Sequence, residues 1–293
     1  MKKIVFSIIL TLFATKMGAQ ESQTGYNFLR LPVSAHAAAL GGDNITLIED
    51  DEALVFHNPA LLASVSDKTI NLNYMNYMSG VNVASASFNR IVKEKASWAV
   101  SANYVDYGKM KQTDENNIQM GEFSAKFITS YIGDYNSIAV GFDLGLNYYD
   151  PDQELSLSAV AKNLGGQLKA YNEDYEKMPI DLQVGVTKGF ENMPFRVSGT
   201  LVNLNHWDKG LKNHLVVGAE LLLGDNLWLG GGYNARRADE MQISNGTEGE
   251  ESSHGAGFSF GGGINLERFH INVAYGKYHV SSSSLLINVS YKL

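Results

Sequence analysis

The chain of 293 residues has a net charge of −8, and only 18% of its residues are charged, compared with about 25% in soluble domains. The negative charge argues against a nucleic-acid partner, since no basic patch balances it. The absence of cysteine excludes a disulfide framework, thiol catalysis and cysteine-ligated zinc. A low fraction of charged residues, together with 29 Gly, 15 Tyr and 13 Phe residues, is typical of a β-protein whose surface contacts a non-aqueous environment.

Residues 1–19 have the pattern of a secretory signal peptide. Lys2 and Lys3 precede the apolar run of residues 4–14, and the small residue Ala19 stands at the predicted cleavage point. The run is too short to cross a hydrocarbon layer about 30 Å thick, and no later stretch is long enough for a membrane-spanning helix. We therefore predict an exported protein from which residues 1–19 are removed.

Residues 20–67 lack a regular alternation of apolar and polar side chains. Residues 38–44, AALGGDN, predict a strand that runs into a tight glycine turn, and residues 49–63 predict a short helix that is acidic at its start and broken by proline. So irregular a segment is tolerable only inside a barrel lumen or at its mouth, which predicts a plug. The motif residues of this plug are Leu40, Gly41, Gly42, Asn58, Pro59 and Ala60.

From about residue 69 onward, apolar and polar residues alternate with the period of an extended strand. In the last strand, Leu285 and Ile287 share one face, whereas Asn288 and Ser290 share the other. The alternating segments are about 9–12 residues long, which suits a tilted strand that crosses a bilayer. Residues 68–293 are therefore predicted to form an all-β, antiparallel transmembrane barrel of about 14 strands in the bacterial outer membrane, with lipid as its outer partner.

Short turns alternate with longer polar connections, as in barrels with periplasmic turns and extracellular loops. The predicted long loops are residues 106–121, 165–178, 205–213 and 237–254. We count roughly thirteen clear strands, but an outer-membrane barrel requires an even number. The conflict lies in residues 122–135, where either the N-terminal segment supplies a strand or a turn and parts of two strands are lacking.

No catalytic, cofactor or metal site is predicted. Residues 257–261, GFSFG, match the nucleophile elbow of hydrolases, but a strand rather than a helix follows Ser259. The seven histidines lack the spacing of metal ligands, and His36 and His57 are expected to be hydrogen-bonded structural residues. Asp143 and Arg196 are expected to face the lumen and are candidate partners of each other, since ionisable residues in a barrel interior are normally paired or hydrated.

Loop residues are the candidate contacts for protein partners, because aromatic side chains on loops are favoured interface anchors. For Trp207, the alternative is a place in the belt of lipid headgroups. The arginines of this set would pair either with the acids of residues 237–254 or with lipid phosphate. The candidates are Trp207, Asp208, Arg236, Arg237, Asp239 and Glu240.

Residues 29–42, LRLPVSAHAAALGG, and residues 50–63, DDEALVFHNPALLA, resemble the N-terminus of the PorV/PorQ group of type IX secretion outer-membrane proteins, within the FadL-like barrels of Bacteroidota. The set of motifs is most similar to the PorQ branch. The further motifs are GEFSA (121–125), DLGLNYYDP (143–151), VAKNLGGQLK (160–169) and YNARR (233–237).

The resemblance implies a 14-stranded barrel with its N-terminal segment tucked into the lumen. It also implies membership of a surface attachment complex, in which a PorV-like shuttle delivers cargo to a sortase-like PorU and a PorQ-like barrel holds PorZ. Family members have a longer stretch between the GEFSA and FITSY segments, which is where the strand count fails in this chain.

Two functions from different classes remain open. The first is a non-enzymatic barrel that anchors PorZ- and PorU-like proteins at the cell surface. The alternative is a FadL-like channel for hydrophobic small molecules, which requires an apolar path through the lumen and a lateral opening. The inward residues are mostly small or polar, which favours the first function.

Overall fold

The protein is described by a computed structural model. Its described residues are 24–78, 80–92, 96–106, 113–120, 123–132, 135–190, 193–207, 210–224, 226–241, 243–244, 251–252, 255–279 and 282–293. The predicted signal peptide and Asp208 lie outside these residues. None of the helices in this described part is long and apolar enough to cross a membrane.

Sixteen strands are found within the described residues. They are β1 (Thr69–Met78), β2 (Val81–Val92), β3 (Ala96–Asp106), β4 (Thr113–Met120), β5 (Phe123–Ile132), β6 (Tyr135–Asp150), β7 (Leu155–Lys169), β8 (Asp181–Phe190), β9 (Met193–Leu201), β10 (Leu215–Leu223), β11 (Leu227–Asn234), β12 (Ile243–Ser244), β13 (Glu251–Ser252), β14 (Phe258–Asn265), β15 (Phe269–His279) and β16 (Ser282–Lys292). Strands β12 and β13 form a separate two-stranded hairpin.

The other fourteen strands of the described chain form one closed antiparallel barrel. Each strand pairs with its neighbour along the chain, β11 pairs with β14, and β16 returns to pair with β1 in a register that runs from Thr69–Lys292 to Asn76–Leu285. Every strand edge is thereby satisfied, as a strand in hydrocarbon requires. The predicted fold class and strand number are confirmed.

The prediction that residues 106–121 form a long loop is wrong, because residues 113–120 form β4. This strand pairs with β3 and β5, and it restores the even strand number that the sequence count lacked. Its sequence, TDENNIQM, is too polar to produce an apolar alternation. The predicted loop at residues 165–178 also begins too early, since β7 continues to Lys169.

The alternation along the strands separates a lipid-facing surface from the lumen. In β16, Leu285 and Ile287 lie on the outer surface, whereas Leu286, Asn288 and Ser290 are buried inside. The long connections between β7 and β8, β9 and β10, and β11 and β14 meet at one end of the barrel. The connections that follow β2, β4, β6, β8, β10 and β14, together with both ends of the barrel sequence, lie at the opposite end, which by the usual arrangement faces the periplasm.

Residues 24–68, which we call the plug, precede β1 and pack inside the barrel. The plug contains α1 (Ala35–Ala39) and three 3-10 helices, at Asn27–Arg30, Glu52–Phe56 and Pro59–Ser64. The predicted break at Asn58 is confirmed, because Asn58 caps the last of these helices and Pro59 begins it.

The prediction of a strand at residues 38–44 is wrong, because alanine-rich residues 35–39 form α1 instead. The side chain of Ser34 caps the start of this helix by accepting a hydrogen bond from the Ala37 amide at 3.2 Å. Gly41 and Gly42 end it with φ angles of +107° and +98°, and the Gly42 amide bonds back to the Ala37 carbonyl at 2.9 Å. Only glycine adopts this left-handed C-cap without strain.

Candidate functional site: the plugged lumen and its outer cavity

The plug touches the barrel wall where the wall presents inward-facing glycine. A Cβ atom at Gly232 of β11 would overlap the backbone of Leu40 and Gly41, and one at Gly145 of β6 would overlap the side-chain oxygen of Asn58. Both predicted plug motifs therefore lie against a wall position that admits only a hydrogen atom. This close approach explains why β11 has glycine at its inward-facing positions 230 and 232.

Hydrogen bonds hold the Leu40–Gly42 motif in place. The Gly41 amide donates to Ser259 Oγ at 3.0 Å, and the same hydroxyl donates to the Ala39 carbonyl at 3.1 Å. Asn234 Nδ2 donates to the Gly41 carbonyl at 3.1 Å. Ser259, the central residue of the hydrolase-like pattern, is therefore occupied in holding the plug.

The Asn58–Ala60 motif is fixed from within the plug. Buried Asn58 accepts a hydrogen bond from the Ala60 amide at 3.0 Å and donates one to the Ile45 carbonyl at 3.0 Å. Pro59 is buried, whereas Ala60 is partly exposed. The motif thus caps one helix and joins two segments of the plug.

A buried ionic network connects the plug to β9 and β10. His36 Nε2 donates to Glu220 at 2.8 Å, and Arg196 Nε donates to the other oxygen of Glu220 at 2.9 Å. Arg196 also pairs with Glu49 of the plug. The His36 ring stacks on Trp228 with 3.6 Å between ring centroids. The expected structural role of His36 and the lumen position of Arg196 agree with these contacts.

Asp143, the other predicted lumen residue, pairs with Lys126 at 2.9 Å rather than with Arg196. Both residues are buried in the wall, and Asp143 also accepts a hydrogen bond from the Asn163 amide at 2.7 Å. His57 is buried, and its Nε2 accepts a hydrogen bond from the Ser34 amide at a long 3.4 Å.

Arg236 and Arg237 lie in α2 (Ala235–Glu240), the helix that follows β11, and are only 9% and 6% exposed. Arg236 pairs with Glu240 at 2.8 Å and with Asp181 at 3.6 Å. Arg237 donates to the Ala256 carbonyl at 2.6 Å and lies over the Tyr278 ring, 4.3 Å from its centroid. These arginines tie the outer connection to the wall and plug, and a role in partner contact stays a prediction for them.

The remaining candidate contacts are more accessible. Trp207 is 58% exposed and stacks on His214 at 4.4 Å between centroids. Asp239 is partly exposed and accepts a hydrogen bond from Asn213 at 2.9 Å, while Glu240 is exposed. These contacts join the connection after β9 to the connection after β11 at the loop-bearing end of the barrel.

A cavity of about 510 Å³, lined by both charged and apolar side chains, lies above the plug at this same end. Leu29, Pro32 and Asp43 of the plug line its floor. Its walls come from residues near the loop-bearing ends of the strands, including Tyr77 and Asn234. No group of three or more histidine, aspartate or glutamate side chains in the described residues is arranged to hold a metal.

The plug also contains an acid without a salt-bridge partner in the described chain. Glu52 is 0% exposed, and burial, assisted by the nearby charge of Asp51, raises the pKa of Glu52 to about 8. The docked plug therefore keeps Glu52 protonated at neutral pH, whereas an undocked, solvated Glu52 ionises near 4.5.

Replacing Glu52 with glutamine is expected to reduce the pH dependence of plug docking. The contribution of wild-type Glu52 is complete below about pH 4.5 and is lost progressively as the pH rises to about 8, because the undocked acid ionises first. Each unit of pKa difference is worth about 1.4 kcal/mol. The urea midpoint for plug release, followed by Trp228 fluorescence in a Trp98→Phe, Trp207→Phe background, measures this loss.

Glu173→Gln, at an exposed acid outside the plug, is the matched control and should leave the pH profile unchanged. Burial raises the pKa of Asp43 and Asp51 and lowers that of His57, so the wild-type profile contains several contributions. The difference between wild type and Glu52→Gln isolates one of them. Identical profiles for these two proteins would contradict the assignment.

Together, the closed barrel and its hydrogen-bonded N-terminal plug define the class of this protein: a plugged outer-membrane β-barrel. Residues 82–288 match the model of the family described as type IX secretion system membrane protein PorP/SprF. The chain belongs to this family, and the predicted connection with type IX secretion is confirmed. The predicted signal peptide and the particular PorQ likeness stay predictions.

Several solved structures are similar to this chain. A Pseudomonas aeruginosa FadL homologue has 9% identity and a TM-score of 0.49, with 89% of this chain and 98% of that chain covered. The Pseudomonas putida toluene transporter TodX has 10% identity and a TM-score of 0.46, with 90% and 98% covered. The CymD monoaromatic hydrocarbon channel has 11% identity and a TM-score of 0.44, with 89% and 97% covered. No curated protein sequence matches the chain.

Proposed function

We propose that this protein is a non-enzymatic, PorQ-like barrel that anchors partners of the type IX secretion system at the cell surface. The proposed partners are PorZ- and PorU-like proteins, which would work together with a PorV-like shuttle. The observation that carries the proposal is the plug itself. Since a buried ionic network and a close glycine contact hold the plug in the lumen, the surfaces left for function are the connections at the loop-bearing end.

The composition of that end supports a binding role. Trp207 is exposed beside the partly exposed Asp239, and both belong to connections that are joined by a hydrogen bond from Asn213. Aromatic anchors with a polar rim are the usual composition of protein interfaces. We include Asp208 and Glu240 in the proposed contact region, whereas the buried Arg236 and Arg237 would hold its backbone in place rather than touch a partner.

The alternative, a channel for hydrophobic small molecules, has less support. Such a channel needs a continuous apolar path, but the inner wall contains buried polar side chains such as Asn71, Asn272 and Asn288. The cavity above the plug is likewise lined by charged residues. Uptake of a labelled fatty acid into liposomes that contain the barrel tests this alternative, and barrel-dependent uptake would overturn the anchoring proposal.

Deleting the protein is expected to release PorZ- or PorU-like proteins from the cell surface, as measured by surface immunoblotting.

Trp207→Ala is expected to weaken the co-purification of these partners with the detergent-extracted barrel, because truncation of an interface hot spot costs about 2 kcal/mol or more, roughly a thirtyfold loss of affinity. The barrel itself should still assemble, since Trp207 is largely exposed.

Tyr149→Ala is the matched control, because Tyr149 is an exposed aromatic near the opposite end of the barrel. It should co-purify with partners as wild type does. A wild-type barrel that emerges alone from gently solubilised outer membranes would contradict the anchoring role. Equal losses for Trp207→Ala and Tyr149→Ala would contradict only the choice of contact region.

A further inference from the structure

The cavity of about 510 Å³ above the plug has the volume of a small-molecule site but an unusual lining. Ligand pockets of 300–1,000 Å³ are predominantly apolar. Here the charged lining residues are Arg30, Lys162, Arg236, Arg237, Asp43, Asp181 and Glu240. Such a lining disfavours a hydrocarbon ligand, because charged groups lose hydration when they contact it.

Lys162 is the decisive residue in this cavity. It is only 9% exposed and lines both the large cavity and a small one beneath it. No hydrogen bond or ion pair connects its ammonium group to another residue of the described chain. A buried charge without a partner is costly, and such groups are normally paired.

Two acids lie near Lys162, but neither forms an ion pair with it in the described chain. Asp43 attracts the Lys162 charge from beyond ion-pair distance. Asp181 stands directly opposite Lys162 in the β7–β8 register, but it accepts hydrogen bonds from the Asn203 amide at 2.6 Å and from Gln183 at 2.9 Å. It also pairs with Arg236 at 3.6 Å. These contacts occupy both oxygens of the Asp181 carboxylate.

The charge of the described lining is also unbalanced, with four cations against three acids. Glu240 is committed to Arg236, and Asp43 accepts a hydrogen bond from Asn234 at 3.0 Å. Burial raises the pKa of Asp43. The lining therefore has a net positive character.

We propose that this cavity binds a small polar ligand with a carboxylate or phosphate group, and that Lys162 is the residue that holds this oxyanion. The ligand supplies a directly bonded counter-charge for Lys162, which the longer-range attraction of Asp43 does not provide. Asp43 faces the same space with the opposite sign and weakens the binding. This proposal is separate from partner anchoring, because neither Lys162 nor Asp43 belongs to the proposed contact region, although helix α2 borders both.

Isothermal titration of the detergent-purified mature barrel tests the site with glucuronate, glucose 6-phosphate, inorganic phosphate and neutral glucose as probes. We expect at least one of the three oxyanions to bind and glucose not to bind. Lys162→Met should weaken the binding tenfold or more, whereas Asp43→Asn should strengthen it. Lys169→Met, at an exposed lysine on the same strand, should bind as wild type does.

Absence of binding by every oxyanion would overturn the proposal, as would binding of glucose with the affinity of glucuronate. If Lys162→Met does not assemble into a barrel, Asp43→Asn decides, and an unchanged or weaker affinity in that variant contradicts the site. Loss of oxyanion binding in Lys162→Met with partners still co-purified would leave the anchoring proposal intact. The two proposals can therefore fail separately.

Discussion

Replacement of Gly232 by valine is expected to release the Leu40–Gly42 motif from the lumen. The new side chain would occupy the space of the plug backbone, which cannot retreat without breaking the bonds to Ser259 and Asn234. Overpacking costs about 1–3 kcal/mol, and each hydrogen bond lost adds about 0.5–1.5 kcal/mol. The free energy of plug docking should therefore become less favourable by several kcal/mol. This change should expose the motif to solvent while the barrel remains assembled.

A reporter cysteine makes this prediction measurable, since the natural chain contains none. Ala38→Cys places a thiol at a fully buried plug position, where a maleimide reagent should not reach it in the wild-type background. In the Gly232→Val background the thiol should react rapidly. Slow labelling in both backgrounds would show that the plug tolerates the added side chain and would contradict the close-contact interpretation.

Gly231→Val is the matched control, because Gly231 lies on the same strand with its hydrogen directed away from the plug. The nearest atom to a Cβ at that position is the Ser259 carbonyl oxygen at 3.5 Å, an ordinary contact distance. Labelling of Ala38→Cys should therefore stay slow in this variant. Comparison of two adjacent glycines separates plug displacement from a general weakening of β11.

The second large effect is expected from Arg196→Met, which removes the cation between Glu220 and Glu49. Removing one partner of a buried ion pair typically costs about 3–5 kcal/mol, because the remaining charge is left uncompensated. The plug should therefore dissociate at a distinctly lower urea concentration. Trp228 fluorescence reports the change, since His36 stacks on this ring in the docked state.

Arg90→Met provides the control for this experiment. Arg90 pairs with Asp67 at 3.4 Å, but both side chains are well exposed, and surface pairs contribute about 0–1 kcal/mol. The double variant Arg196→Met, Glu220→Met should recover part of the loss, because it removes both charges. A midpoint for Arg196→Met equal to that of Arg90→Met would contradict the role of the network.

The barrel could be predicted from the sequence because every second residue of a strand that faces hydrocarbon must be apolar. Leu285 and Ile287 face outward as the alternation predicts, and the neighbouring Leu286 and Asn288 are buried. β4 was not predictable in this way, since its polar sequence produces no alternation and its place follows only from the pairing of β3 and β5. Closure of the sheet, rather than local preference, defines that strand.

The lumen was less predictable than the outer surface. Lys162 lies next to Asn163, which has a φ of +57°, at a point where the β6–β7 register shifts. A bulge of this kind reverses the alternation locally, so the sequence does not indicate which face Lys162 occupies. The role of the inward-facing Gly232 could not be predicted either. Glycine is required there only because Leu40 and Gly41, far away in the sequence, pack against it.

Sequence distance has a further consequence for how this molecule assembles. The contact between His36 and Glu220 joins residues 184 positions apart, and the contact between Gly41 and Ser259 joins residues 218 positions apart. Contacts between residues so far apart in the sequence form slowly, because closing a long loop costs chain entropy before the contact stabilises it. We therefore expect seating of the N-terminal segment and closure of the β1–β16 seam to be late folding events, before which the sheet has open edges.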